Sequence, residues 1–285
     1  MNSLSVFSLF LLIWLNSQAE TLRVGTWNIR HFAEAENAGQ KTVDVAGYIA
    51  SSGVQLLALQ EISHDGDLES SALRALCKAL SKGSASWDYR IFQNRLPKDY
   101  AQSCAVMWNR SKFRLKSKPY KLPLKKKSGE WHYWHRSPYT LKFSAGEGRS
   151  DFVLLSIHMK AFAEKKTQRL REFQLLWQGL SALEKRFQDK DILILGDSNF
   201  SRSETTYRKS LSSWQELNKK GLSTLTKSRF YESAAFDKII VPSRQPETAR
   251  AKFFVHRTLK DYLHRKLLSD HFLVYTELTI LRDDD

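Results

Sequence analysis

Six apolar runs in this chain of 285 residues end in, or open on, a polar group able to do chemistry. TLRVGTW gives way to Asn28, LLALQ to Glu61, FVLLSI to His158, and ILILG to Asp197 and Asn199. Further on, Asp237 opens FDKIIV, and Asp270 and His271 open FLVYTEL. The carboxylates Glu61, Asp197 and Asp270 offer hard oxygen ligands suited to Mg²⁺, Mn²⁺ or Ca²⁺, and no His/Cys cluster stands at zinc spacing. His158 and His271 are imidazoles able to hold or release a proton near neutral pH. Asn28 and Asn199 donate N–H groups without adding charge that would repel an anion. Carboxylates, a divalent ion, imidazoles and amides together suit metal-assisted hydrolysis of a phosphate ester. Any one of these residues alone reads as a turn, a helix cap or a satisfied core group. Their recurrence at strand ends points instead to a single edge where they converge.

That convergence needs strands. Short apolar or alternating runs occur at 21–29, 54–62, 89–93, 104–109, 139–143, 152–159, 192–197, 236–241, 252–255 and 272–280. Helical periodicity is found at about 41–52, 68–82 and 164–187, where Leu170, Phe173, Leu176, Trp177, Leu180, Leu183 and Phe187 form one stripe. Many strands, few helices and no repeat predict sheets packed face to face with helices outside, a layered α/β sandwich. No linker divides the chain, so residues 20–285 read as one domain. The polar, basic stretch 201–229 reads as long surface loops with a short helix.

Residues 1–19 hold an apolar core too short to span a bilayer comfortably and end Ser17-Gln18-Ala19, as a cleaved export signal would, although no basic residue precedes the apolar run. Export to the periplasm or the medium is therefore expected. The two cysteines, Cys77 in a helical pattern and Cys104 in a strand-like one, leave a disulfide and two buried thiols equally open. The formal charge of +15 favours polyanions, and eight basic residues with no acid lie between Lys112 and Lys127. A solvated lysine-rich hairpin would look the same.

The segments TWNIRHF, LQEI, RSPYTLKF, SIHMK, GDSNF, AFDKIIV and SDHFLVY follow the order and approximate spacing of the endonuclease/exonuclease/phosphatase superfamily, and the chain most resembles its deoxyribonuclease I branch. The resemblance runs over about 22–280 and implies a four-layered α/β sandwich with the active site at one sheet edge. It implies that Glu61 is a metal ligand, that Asn28 supports metal and phosphate, and that Asp270 is an additional ligand. Asp197 would orient the attacking water or bind metal, and Asn199 would contact the phosphate. His271 would be the general base, held in its tautomer by Asp237, and His158 would bind phosphate or protonate the leaving oxygen. Arg30 and Arg136 resemble phosphate-contacting arginines, and Tyr100 a tyrosine beside a nucleic-acid groove. The sequence departs from deoxyribonuclease I at Gln102, where a glutamate would partner the second histidine, and at Ile62-Ser63, where a groove-reading segment would follow.

The superfamily implied by that resemblance includes nucleases, sugar-lipid phosphatases and phospholipid-cleaving enzymes. The positive charge and AFDKIIV favour a metal-dependent nuclease, with DNA first and RNA second. The aromatic stretch Trp131, Tyr133 and Trp134 ahead of Arg136 raises the alternative of a phospholipid- or phosphoinositide-directed enzyme, and a catalytically silent nucleic-acid-binding module is the third reading. Ser198, between Asp197 and Asn199, is expected to face the other way and serve packing.

Overall fold

The computed structural model describes residues 20–33, 40–63, 69–92, 103–122, 134, 136–161, 165–200, 213–218, 222–225 and 232–283. Tyr100, Gln102, the segment 1–19, Trp131 and Tyr133 lie outside the described residues.

The alternating runs form strands and build two large sheets. The first contains β1 (Glu20–Phe32), β2 (Leu56–Ile62), β3 (Trp87–Phe92), β4 (Ser103–Asn109), β14 (Phe254–Val255) and β15 (Val274–Ile280), in the order β14-β15-β1-β2-β4-β3. The second contains β5 (Arg114–Leu115), β6 (Tyr120–Lys121), β7 (Tyr139–Ser144), β8 (Asp151–His158), β9 (Ile192–Asp197), β10 (Trp214–Glu216) and β13 (Asp237–Pro242), in the order β10-β13-β9-β8-β7-β5, with β6 also on β7. Two short strands, β11 (Thr224–Leu225) and β12 (Glu232–Ala234), pair separately.

Alternation decides the layers, because successive side chains of a strand face opposite ways. Val24, Leu56, Cys104 and Val106 of the first sheet meet Leu141, Leu154, Leu195 and Ile239 of the second in a central core. The intervening residues Trp27, Leu57, Ala105 and Met107 face outward and are covered by helices α1 (Thr42–Ser52) and α2 (Ser71–Leu80). On the other side Val153, Leu155, Ile192 and Ile194 pack under α3 (Lys166–Phe187), whose Phe173, Leu176, Leu180 and Leu183 form the predicted stripe. Each such fully buried side chain contributes about 1.5–3 kcal/mol relative to exposure. Four layers, helix, sheet, sheet, helix, result, as expected from the sequence.

Three local expectations are corrected. The run at 272–280 becomes strand only from Val274, because Phe272 turns its N–H to Ser223 O (2.8 Å) beside β11. Within 201–229 the described residues carry the strands β10 and β11, with no helix among them. A helix of seven residues was not anticipated: α4 (Asp261–Leu267) precedes the His271 segment, and within its polar sequence DYLHRKL only His264 is buried.

Candidate active site

Strand register gathers the polar ends. In the second sheet, His158 sits opposite Asp197 on the parallel β8/β9 pair, and Asp237 sits opposite Asp197 on the antiparallel β9/β13 pair. Three strands thus deliver three functional side chains in a row. The first sheet brings Asn28 from β1 and Glu61 from β2, and His271 arrives just ahead of β15, which pairs with β1.

Asn28 is the bridge between the sheets. Its Nδ2 donates to Glu61 Oε1 (3.0 Å) and to Asp197 Oδ2 (3.1 Å), while its Oδ1 accepts from Arg30 N (3.1 Å). His158 Nε2 lies 3.9 Å from Glu61 Oε1 and 3.8 Å from Asp197 Oδ2. On the opposite flank His271 Nδ1 donates to Asp237 Oδ2 (2.9 Å), and its Nε2 faces Asp197 Oδ2 at 3.9 Å. Two imidazoles therefore flank one carboxylate. Asn199 donates its N–H to Asp197 Oδ1 (2.8 Å) and its Nδ2 to Met159 O (3.0 Å), the carbonyl that also accepts from Arg136 Nη1 (3.3 Å). Ser198 is fully buried, its hydroxyl given to Phe236 O (2.9 Å), which matches the packing role expected of it.

Backbone strain concentrates here. Arg30, His31, Glu61 and Asn199 adopt φ of 53°, 54°, 62° and 52°, left-handed values that non-glycine residues seldom take. The β1/β2 register shifts between Asn28 and Phe32, and the β2/β4 register shifts between Leu59 and Ile62. Bulges of this kind re-aim side chains, here turning Glu61 toward Asn28. Such conformations cost about 1–3 kcal/mol each and persist where surrounding structure holds them.

Electrostatics follow from burial and proximity. Burial pushes the Asp197 carboxyl up to about 6, with Asp237 adding to the rise and His271, Asn28 and Asn199 opposing it. Burial works against a charged His271, but contact with Asp237, then the charges of Asp197 and Asp270, outweigh it and raise the imidazole to about 10. Asp237 and Asp197 therefore favour the protonated imidazole at neutral pH.

The remaining predicted residues are placed as follows. Asp270 turns to Arg265, with Nη2–Oδ2 at 3.7 Å, and gives its carbonyl to Leu225 N (2.7 Å). Arg30 Nη1 donates to Arg265 O (3.1 Å), tying β1 to α4. Trp134 is buried in the core beneath α3.

Several participants were not read from the sequence. His31 Nε2 stands 3.4 Å from Glu61 Oε2, with the His31 side chain 54% exposed at the mouth. Ser223 Oγ donates to Asp237 Oδ2 (2.6 Å) and Thr224 Oγ1 lies 3.4 Å from His271 Nδ1. The His271 carbonyl accepts from Trp27 Nε1 and from His264 Nε2, both at 2.8 Å, and burial holds the His264 imidazole down at about 4. Ser269 Oγ donates to Asn28 O (2.7 Å), joining the two halves of the site. Trp27, His31 and Ser269 lie inside the motifs TWNIRHF and SDHFLVY, whereas Ser223, Thr224 and His264 carried no sequence signal.

The donor set fits a hard divalent ion. Among the described residues no group of three or more His, Cys, Asp and Glu forms a ready-made cage. Glu61 and Asp197 instead present two carboxylates linked through one amide, the arrangement used by an ion that keeps much of its water and takes one or two carboxylates.

No protein-family description matches the sequence, and no curated protein matches it either. Solved structures do match. The chain superposes on an endonuclease/exonuclease/phosphatase family protein from Bacteroides thetaiotaomicron with TM-score 0.66 at 18% identity, covering 92% of this chain and 98% of that one. It also superposes on D. rerio TDP2 complexed with single strand DNA product (TM-score 0.63, 14% identity, 91% and 98% covered). The human Nocturnin catalytic domain with bound sulfate anion gives TM-score 0.63 at 16% identity, with 92% and 95% covered. The chain therefore shares the fold of these three structures.

Proposed function

We propose that the protein is a divalent-metal-dependent phosphodiesterase that cleaves nucleic acid, with DNA as the first substrate. The observation that carries this reading is the Asp237–His271 pair aimed at Asp197, with His158 on the other flank and amides of Asn28 and Asn199 between. A divalent ion held at Glu61 and Asp197 would supply positive charge for the phosphoryl oxygens. His271 would take the proton of the attacking water in its neutral form; Asp237 first and then Asp197 favour its protonated form, and a cation beside Asp197 would weaken the second of these. Asp237 fixes its tautomer and stabilises the imidazolium. His158 gives a proton to the leaving oxygen as the phosphorus–oxygen bond breaks, and Arg136 and Asn199 meet the phosphate beside Met159. The formal charge of +15 and the fold shared with a TDP2 that holds a single-stranded DNA product support a nucleic-acid substrate. Burial of Trp134 gives no support to a membrane-dipping hairpin at that residue.

Incubation of purified protein with plasmid and RNA, with Mg²⁺ or with EDTA, tests the reading. Metal-dependent nicking that falls by about 10²–10⁴-fold in His271→Ala is expected. Intact nucleic acid under every metal condition, together with release of phosphate or phosphocholine from lipids, would reject it. We also propose that residues 1–19 direct export, so that the mature chain begins near Glu20 and acts in the periplasm or the medium. N-terminal sequencing of protein recovered outside the cytoplasm checks this, and an intact Met1 would refute it.

A further inference from the structure

The second sheet is bordered on its β7 side by one continuous line of chain. Arg114 pairs with Ser144, Lys116 N donates to Lys142 O (2.8 Å), Lys142 N donates to Ser117 Oγ (2.9 Å), and Tyr120 pairs with Thr140. The line begins far from the site, where Ser144 faces Asp151 at the start of β8. It finishes beside the site, where Lys121 pairs with Tyr139, whose neighbour on β8 is Ser156, two residues before His158. Leu122 N then donates to Pro138 O (3.0 Å), two residues from Arg136.

The side chains on this line are sorted. Arg114, Lys116 and Lys118 are exposed, while Leu115 and Ser117 between them are half-buried, so the three cations alternate with the residues turned toward the sheet. No acidic residue occurs from 110 to 122. Among the described residues these three cations have no acidic partner, whereas Lys112 is held by Glu20 (2.9 Å) and Lys142 by Asp151 (2.9 Å) and Asp189 (3.1 Å).

We propose that this sheet edge is a track for a nucleic-acid backbone, a run of three exposed cations that grips the strand away from the cleavage point and leads it toward Arg136. The proposal rests on the nucleic-acid reading above. It adds a binding surface remote from the reacting atoms, whose role is grip on long substrates. Charged residues and Pro119 along a sheet edge also discourage other chains from adding to the sheet, and the test separates the two roles.

The full chain, as wild type and as Arg114→Gln/Lys116→Gln/Lys118→Gln, is titrated in EDTA against fluorescent single-stranded DNA of about 30 and of about 4 nucleotides, from about 0.05 to 0.3 M salt. Hydrolysis of bis(p-nitrophenyl) phosphate is measured in parallel with Mg²⁺. The variant is expected to bind the long DNA at least ~10-fold more weakly at the lowest salt, with the slope of log K against log[salt] reduced by about 2. Binding of the short DNA and turnover of the small diester stay at the wild-type level, which also shows that the variant is folded. Lys116→Gln/Lys118→Gln serves if the triple variant expresses poorly. Unchanged affinity and slope for the long DNA overturn the track, and so does new self-association without change in DNA binding. Loss of binding to phosphatidylserine vesicles with DNA binding intact would reassign the edge to a lipid surface. A wild type that binds long DNA but turns over no diester refutes the enzymatic reading and leaves the track standing.

Discussion

Asp237 carries no exposed surface, and its carboxylate is enclosed by Ser223 Oγ, Thr224 Oγ1 and His271 Nδ1. A buried carboxylate so placed has one main way to offset its desolvation, which is to keep a proton on its histidine. The folded His271 is raised to about 10 from 6.5, so the stability it contributes is fully present below pH 6.5 and is lost as pH rises through about 10. In EDTA, therefore, the melting temperature of the wild type should fall between pH 7 and 10 more steeply than that of Asp237→Asn, by differential scanning fluorimetry. Parallel slopes would detach the imidazole from Asp237. Activity of Asp237→Asn should drop at least about 10²-fold. A second expectation concerns Glu61, whose two oxygens are shared between Asn28 and His31. Millimolar Mg²⁺ should raise the melting temperature of the wild type by mass action and leave Glu61→Gln unmoved. The residues that sit at the ends of strong apolar runs were legible in the sequence for that reason. Ser223 and Thr224, which complete the Asp237 pocket, were not: two small hydroxyl residues in a polar stretch look like loop, and only the bridge from Thr224 to His271 gives them meaning.

Elements position the site through two close approaches that sequence periodicity does not encode. The first is the β8/β9 pair, where Gly196 faces Ile157 one step before the His158–Asp197 rung. Gly196 has φ 146°, and a β-carbon there would come within 1.9 Å of the Ile157 carbonyl oxygen. Gly196→Ala should therefore cost at least about 3 kcal/mol, read as a large fall in melting temperature or as insoluble protein. Gly47, exposed in α1 with open space where a β-carbon would stand, is the control, and Gly47→Ala should be neutral or stabilising by up to about 1 kcal/mol. Equal losses at both positions would show general fragility. The second approach is α4 against the His271 segment, where His264 supports the His271 carbonyl and Arg265 O receives Arg30. Long strands and α3 were legible because their apolar residues repeat at two or at three and four. The helix α4 was not, since its seven residues are too few for a stripe, and the bulges in β1 and β2 leave the apolar pattern intact while turning the backbone.

At the scale of the whole molecule, the four layers decide what the sequence left open about its cysteines. Cys77 lies on α2, in the core between the outer helices and the first sheet, whereas Cys104 lies on β4 and faces the central core between the two sheets. The first sheet itself stands between the two thiols, and both are free. Bridging them would require α2 and β4 to leave their layers, which the geometry of a disulfide does not permit. Burial raises each thiol to about 12, so neither forms the reactive thiolate near neutral pH. The charge, the layered core and the strand-end chemistry therefore all belong to a chain whose layers hold without a disulfide between these two cysteines. Dithiothreitol should leave its melting temperature unchanged. A thiol reagent should titrate almost nothing in the native protein, and both thiols of the chain in guanidinium. A melting temperature that drops on reduction, or a single chain that migrates faster on a non-reducing gel than on a reducing one, would mean that the two cores exchange partners and that this layer assignment is wrong.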